Sequence, residues 1–288
     1  MASHPLCIAR ADHMTSLRCA CALIVTVLAL AACARVDGTN RQQLLLTSAS
    51  QENQLGAEAY TEVKGKEKIC TDPVAIALVE RVGKRLAAVA PNKGFTYEFV
   101  VLESPTVNAF CLPGGKVAVY TGILPWCQDE ASLAAILGHE IGHAIARHGG
   151  ERMSQGQLQQ IGGQTLAAVM EARGIAPTNA QLAMVAYSAG SQYLGVLPYS
   201  RDHELEADYL GLIYMAKAGY DPAAAVGFWS RFAALSSGTP TFLSTHPAST
   251  DRAARLQAKM VEAKALYAAA PQQYGNGELV PEKYRTKP

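Results

Sequence analysis

Apolar and polar residues follow two periods along this chain, and the changes of period divide it into elements. "QENQLGAEAYTEVKGK" from residue 51 has helical spacing. So does "DPVAIALVERVGKRLAAVA", which Asp72 and Pro73 open as N-cap and first helical residue. "FTYEFVVLE" (95–103) and "GKVAVYTGIL" (115–124) alternate and read as strands, with "NAFCLPGG" between them and Pro113-Gly114-Gly115 as turn signal. After Pro125 the helical period returns from Gln128 to His148, with Leu133, Ile136, Leu137, Ile141 and Ile145 on the apolar face. Further helices are predicted at 151–172, 178–197, 201–218, 222–235 and 250–269, followed by an irregular tail over 271–288. Within the second of these, Ser188, Ser191, Gln192 and two tyrosines interrupt "LAMVAYSAGSQYLGVL", which reads as a packed helix rather than a membrane span. No tandem repeat is present. The pattern predicts an α+β, mostly helical domain over 51–270, with a small antiparallel sheet beside the helix at 128–148.

The N-terminus follows neither period. From Met14, itself an alternative start, "MTSLRCACALIVTVLALAAC" places Arg18 before an apolar run from Ala20 to Ala32. About a dozen apolar residues are too few to span a bilayer, and residues 1–32 read as a secretory signal peptide. Its ending, Leu30 to Cys33, resembles a bacterial lipobox. That resemblance implies a lipid on Cys33 and a polar tether over 33–50. With Ala34 rather than Asp after the cysteine, it implies an outer-membrane anchor facing the periplasm. Membrane contact is then through the lipid anchor only.

Composition narrows the partners. With 49% hydrophobic and 17% charged residues the chain describes a folded domain, and a net charge of +1 gives no case for nucleic acid. Of seven cysteines, Cys7, Cys19 and Cys21 belong to the leader and Cys33 to the anchor. Cys70, Cys111 and Cys127 remain in an oxidising compartment, where one disulfide is expected. Cys70–Cys127 is the expected pair, because Cys111 falls in a strand near the site, although spacing does not fix connectivity.

The chemistry concentrates in "AAILGHEIGHAIARHGG", residues 134–150. His139 and His143, at i and i+4, point the same way from one helix and present two nitrogens to one ion, with Glu140 beside the open position. Gly138 and Gly142 each cost about 1 kcal/mol in a helix interior, a cost that predicts close approach by another backbone or a substrate. A catalytic zinc takes a third protein ligand. Among His148, His203, Glu204, Glu206, Asp208 and His246, His148 lies about 500° of helical rotation beyond His143 and too far along the axis to join both. Glu204 and Asp208 share a face of "YSRDHELEADYLGL", so Glu204 can ligate while Asp208 holds a ligand histidine.

Four ordered segments then converge on one resemblance. HEIGH, followed by Ser200, Arg201, Glu204, Ala207 and Asp208, resembles the motifs of peptidase family M48. "NAFCLPGGKVAVYTGIL" is similar to that family's edge strand and turn, and "HPASTDR" (246–252) to its H-P-x-x-x-x-R segment. The match runs from about residue 52 to 265 and most resembles the compact periplasmic lipoprotein branch. It implies a zincin-like fold with one zinc per chain on His139, His143 and Glu204, Glu140 as base, and Asp208 behind a ligand histidine. It implies two alternative roles for His246, transition-state stabiliser or fourth zinc ligand in the resting enzyme. Arg252 is expected to pair with Glu204 or Asp208, and shares with His246 the candidacy for oxyanion donor. Substrate is expected as an added strand along Asn108, Ala109 and Phe110. The implied substrates are unfolded or misfolded envelope proteins, with the outer-membrane assembly machinery as a further partner. Chaperone-like client binding on the same edge is the alternative function.

Overall fold

The computed structural model describes residues 33–191, 197–233, 242, 246 and 252–285. The leader, the Cys33 side chain and the helix start expected at Pro247 lie outside the described residues.

The chain enters through two short antiparallel strands, β1 (Cys33–Arg35) and β2 (Gln42–Leu44). Gly38 and Asn40, both at positive φ, close the hairpin. Val36, Gln43 and Leu45 are buried and Arg41 reaches buried acids, so the segment expected as a polar tether belongs to the domain. Its polar composition hid this, because Arg41 is held by charges far away in sequence.

Helix α1 (Ala49–Lys66) opens with a capping box in which Ser48 and Gln51 satisfy each other's backbone N–H. Helix α2 (Pro73–Val89) is capped by Asp72 and buries Ala75, Leu78, Val79, Val82 and Leu86 along one stripe. The sheet comprises β3 (Glu98–Leu102), β4 (Ala109–Leu112) and β5 (Lys116–Tyr120) in the order β3-β5-β4. Gly114 and Gly115, both at positive φ, make the turn into β5, whose Val117, Ala118 and Val119 are fully buried. The expected antiparallel sheet is corrected here: β4 and β5 are antiparallel, but β3 and β5 run parallel. "NAFCLPGG" contributes a strand of its own, and the two reversals around it restore the direction of β3.

After a 3-10 turn (Thr121–Trp126) comes α3 (Glu130–Ile145), capped by Asp129 and buried along its whole length. The C-terminal tail is irregular but docked. Carbonyls of Asn276 and Glu278 accept the N–H groups of Ala131 and Glu130, satisfying donors that a helix start leaves open. Helix α3 stops before His148, because Arg147 adopts φ 57 while its guanidinium binds Glu52 and the Thr47 carbonyl. Beyond that break lie α4 (His148–Ala172), α5 (Pro177–Ser191), α6 (Leu197–Lys217) and α7 (Ala223–Ala233). Helices α8 (Arg252–Ala258), α9 (Met260–Ala268) and α10 (Glu282–Arg285) follow, so the helix expected over 250–269 is divided at Lys259. Among the described residues no helix is long and apolar enough to cross a membrane.

The expected disulfide is overturned: Cys70, Cys111 and Cys127 are all free. Cys70 and Cys127 fill core volume as small hydrophobic side chains, and the Cys127 thiol contacts the Ile123 carbonyl within its own turn.

Candidate metal centre

Helices α3 and α6 touch backbone to backbone, and glycine makes the contact. A Cβ on Gly138 would stand 2.9 Å from the Gly211 carbonyl oxygen, and one on Gly142 would stand 3.0 Å from that of Ala207. The close approach expected from these two glycines is therefore made by a neighbouring helix. It brings Glu204 of α6 to the two histidines of α3.

Four side chains converge there, all buried: His139, His143, Glu204 and His246. Nε2 of His139 lies 3.0 Å from Nε2 of His143 and 3.2 Å from Nδ1 of His246. The Glu204 carboxylate lies 3.4 Å from His139, 3.3 Å from His143 and 3.1 Å from His246. Ligand atoms about 2.0–2.1 Å from a tetrahedral ion stand about 3.3 Å apart, so these separations fit the edges of a zinc tetrahedron. The donor chemistry fits as well, since imidazole and carboxylate suit zinc. Cys111 is not among the donors, and burial, followed by the nearby Glu140 charge, pushes its thiol up.

The charges around this set are steep. Burial, then the neighbouring His139, hold His143 down to about 3 despite its hydrogen bonds to Glu204. For His139, burial and Arg252 act downward, but Asp208 and Glu204 outweigh them and raise it to about 9. Glu204 is held well below the carboxylate range: burial acts against this, and hydrogen bonds to three histidines overcome it. Burial pushes Glu140 up. Its Oε1 is buried, accepts no hydrogen bond and lies 3.4 Å from Nε2 of His246.

Behind His139, Asp208 accepts from Nδ1 at 2.9 Å. Arg252 grips the same carboxylate through Nε at 2.5 Å and Nη2 at 2.6 Å, and stands 3.6 Å from Glu204. Its guanidinium lies 3.5 Å over the Trp229 ring. Trp229 and Phe242, absent from the expected site, wall it: both rings approach His139, and Phe242 stacks on His246 at 4.5 Å. Trp229 belongs to an aromatic run inside a helical pattern, whereas Phe242 lies between the predicted helices and carried no signal.

The expected substrate strand is β4, an edge of the sheet packed against α3. Ala109 is buried and pairs with Val119, whereas Asn108 and Phe110 are half-buried. The Asn108 carbonyl accepts from Tyr120 N–H, while its Oδ1 is buried and accepts no hydrogen bond. His148 stands outside the four-donor set, but its ring reaches the far side of His143, with the two Nδ1 atoms 2.7 Å apart. Glu206, Glu151 and His203 gather around it, a cluster the spacing did not foretell.

Two histidines one turn apart with an intervening glutamate, and a carboxylate from a second helix, define an HExxH metallopeptidase domain. The chain belongs to peptidase family M48, whose description, Peptidase family M48, matches residues 75–260. It is 35% identical over 232 residues to the mitochondrial metalloendopeptidase OMA1 of Schizosaccharomyces pombe, covering 78% of this chain and 66% of that protein. It is 32% identical over 206 residues to the putative beta-barrel assembly-enhancing protease of Vibrio cholerae, covering 68% of this chain and 41% of that protein. The beta-barrel assembly-enhancing protease of Escherichia coli is 28% identical over 214 residues, 72% of this chain and 43% of that protein. The chain thus spans between two-fifths and two-thirds of the length of these relatives.

Proposed function

We propose that this chain is a zinc-dependent endopeptidase of the bacterial cell envelope, cleaving extended or misfolded polypeptides. The observation that carries the reading is the four-donor cluster with a buried, unbonded glutamate oxygen at its edge. His139, His143 and Glu204 would hold one zinc per chain, with Nδ1 of His246 as the fourth donor at rest. Zinc, when bound, supplies Lewis acidity toward water and the scissile carbonyl. Glu140 takes a proton at Oε1 from the attacking water and returns it to the leaving amine; its raised pKa suits both transfers. His246, whose Nε2 lies 3.4 Å from Oε1 of Glu140, would serve as a donor to the developing oxyanion. Asp208 serves as a positioning residue that accepts from His139 and Arg252, and Arg252, whose Nη1 is buried without a hydrogen-bond partner, shares with His246 the candidacy for oxyanion donor.

Substrate adds as a strand to β4 through Asn108, Ala109 and Phe110, a mode that selects extended backbone rather than sequence. The relatives named for beta-barrel assembly support a setting near outer-membrane assembly machinery. Lipid on Cys33 would hold the domain at the outer membrane, and Cys33→Ala should abolish fatty-acid labelling. The enzymatic test is casein cleavage by the purified protein, stopped by a chelator, restored by zinc and lost in Glu140→Gln at unchanged zinc content. Wild-type cleavage rates in Glu140→Gln would sink the reading. Binding of clients without any cleavage would favour the chaperone-like alternative.

A further inference from the structure

We propose that His148 and Glu206, braced by Arg41 from the N-terminal hairpin, are positioning residues that fix the tautomer and orientation of His143. The inference rests on the zinc reading above, since it concerns the face of His143 turned away from the metal.

The proton positions follow from one constraint. If Nε2 of His143 faces the metal, its proton sits on Nδ1, which lies 2.7 Å from Nδ1 of His148. That nitrogen must then accept, which puts the His148 proton on Nε2. There it points at Oε2 of Glu206, 2.9 Å away. Each ring therefore has one proton and one lone pair, and the chain of donors ends on a carboxylate. His139 has its carboxylate directly, in Asp208; His143 has one at the end of a histidine relay. Both carboxylates come from α6, as Glu206 and Asp208, which immediately flank Ala207.

Glu206 is itself fixed. Its Oε2 accepts from Arg41 Nε at 2.7 Å and its Oε1 from the Thr39 hydroxyl. The other end of the Arg41 guanidinium binds both oxygens of Glu151, at 3.1 and 2.8 Å. Glu151 also accepts from Nε2 of His203, whose ring stacks on His148 at 4.1 Å. Ring sliding and ring rotation of His148 are thus both opposed. The histidines of this cluster do not form a second metal site: their planes are 13° from parallel, and each Nε2 is spent on a separate carboxylate. Arg41 lies on the hairpin that follows Cys33, so the hairpin is built into the support of one metal ligand.

The test uses the full chain, measuring zinc affinity by competition with a chromophoric chelator and the d–d spectrum of the cobalt-substituted protein. The melting temperature of zinc-free protein controls for folding. His148→Leu removes the acceptor and should weaken zinc about 10- to 100-fold, with an altered cobalt spectrum. In His148→Asn the amide oxygen replaces Nδ1, and affinity should return to within a few-fold of wild type. A purely structural role would shift the zinc-free melting temperature without this split between Leu and Asn. If His148→Leu does not fold, Arg41→Gln carries the test, with about a three- to tenfold loss expected. Wild-type affinity in folded His148→Leu or Arg41→Gln overturns the proposal, whereas failure of the wild-type protein to bind zinc overturns the zinc reading instead.

Discussion

Gly211→Ala probes how the site is assembled. The added Cβ would stand 2.6 Å from the His139 backbone nitrogen, 2.8 Å from the Gly138 carbonyl carbon and 3.0 Å from the His139 Cα. These are backbone atoms of a buried helix, so no side chain can rotate away. The contact is about 1 Å short of ordinary van der Waals separation, and α6 must move off α3 by roughly that amount. Overpacking of this kind costs about 1–3 kcal/mol, and the better helix propensity of alanine returns about 1 kcal/mol. Stability should therefore fall by about 0–2 kcal/mol. The metal site should suffer more. Glu204 lies two helical turns from Gly211, and metal–ligand distances tolerate only about ±0.2 Å, so zinc affinity should fall at least about tenfold. Urea unfolding of zinc-free protein measures the first quantity and chelator competition the second. Gly156→Ala in α4, where a Cβ meets nothing within 4 Å, is the control: about 0.5–1 kcal/mol more stable, zinc unchanged. Gly211→Ala behaving like this control would refute the idea that backbone contact sets the ligand geometry.

Other outcomes follow from the same structure. Zinc uptake near pH 7–8 should release protons, because His139 is raised to about 9 in the metal-free site. The bound proton competes with the metal, so affinity should rise with pH and level off above that value; calorimetry in buffers of different ionisation enthalpy detects the release, and its absence would refute the assignment. Arg252→Ala leaves the Asp208 carboxylate buried without its main partner and should cost about 3–5 kcal/mol in chemical unfolding; a loss under 1 kcal/mol would contradict the pairing. Reductant should leave the melting temperature unchanged, and the denatured protein should expose free thiols at Cys70, Cys111 and Cys127 without prior reduction. A reductant-sensitive transition would restore the disulfide.

The parts of the site legible in the sequence were those fixed by local geometry. His139 and His143 share a face because residues four apart on a helix always do, and Glu204 and Asp208 repeat that relation on α6. Gly138 and Gly142 announced a close approach by another backbone or a substrate through their cost in a helix interior, and the neighbouring helix is the structure's answer. What stayed hidden depends on tertiary partners. Arg147 is a non-glycine residue at positive φ, held there by Glu52 far upstream, so the end of α3 carried no local signal. The direction of β3 relative to β5 turned on whether "NAFCLPGG" was loop or strand. The hairpin at 33–44 was masked by its polarity, since its anchoring charges, Glu151 and Glu206, lie on α4 and α6.

X-ray absorption at the zinc edge, on the purified full chain, tests the central claim most directly. One zinc per chain is expected in a four-coordinate shell of nitrogen and oxygen, containing the imidazoles of His139, His143 and His246, with the bound metal lost in Glu204→Gln. Absence of stoichiometric zinc in wild-type protein, or a sulfur neighbour at about 2.3 Å, would contradict it.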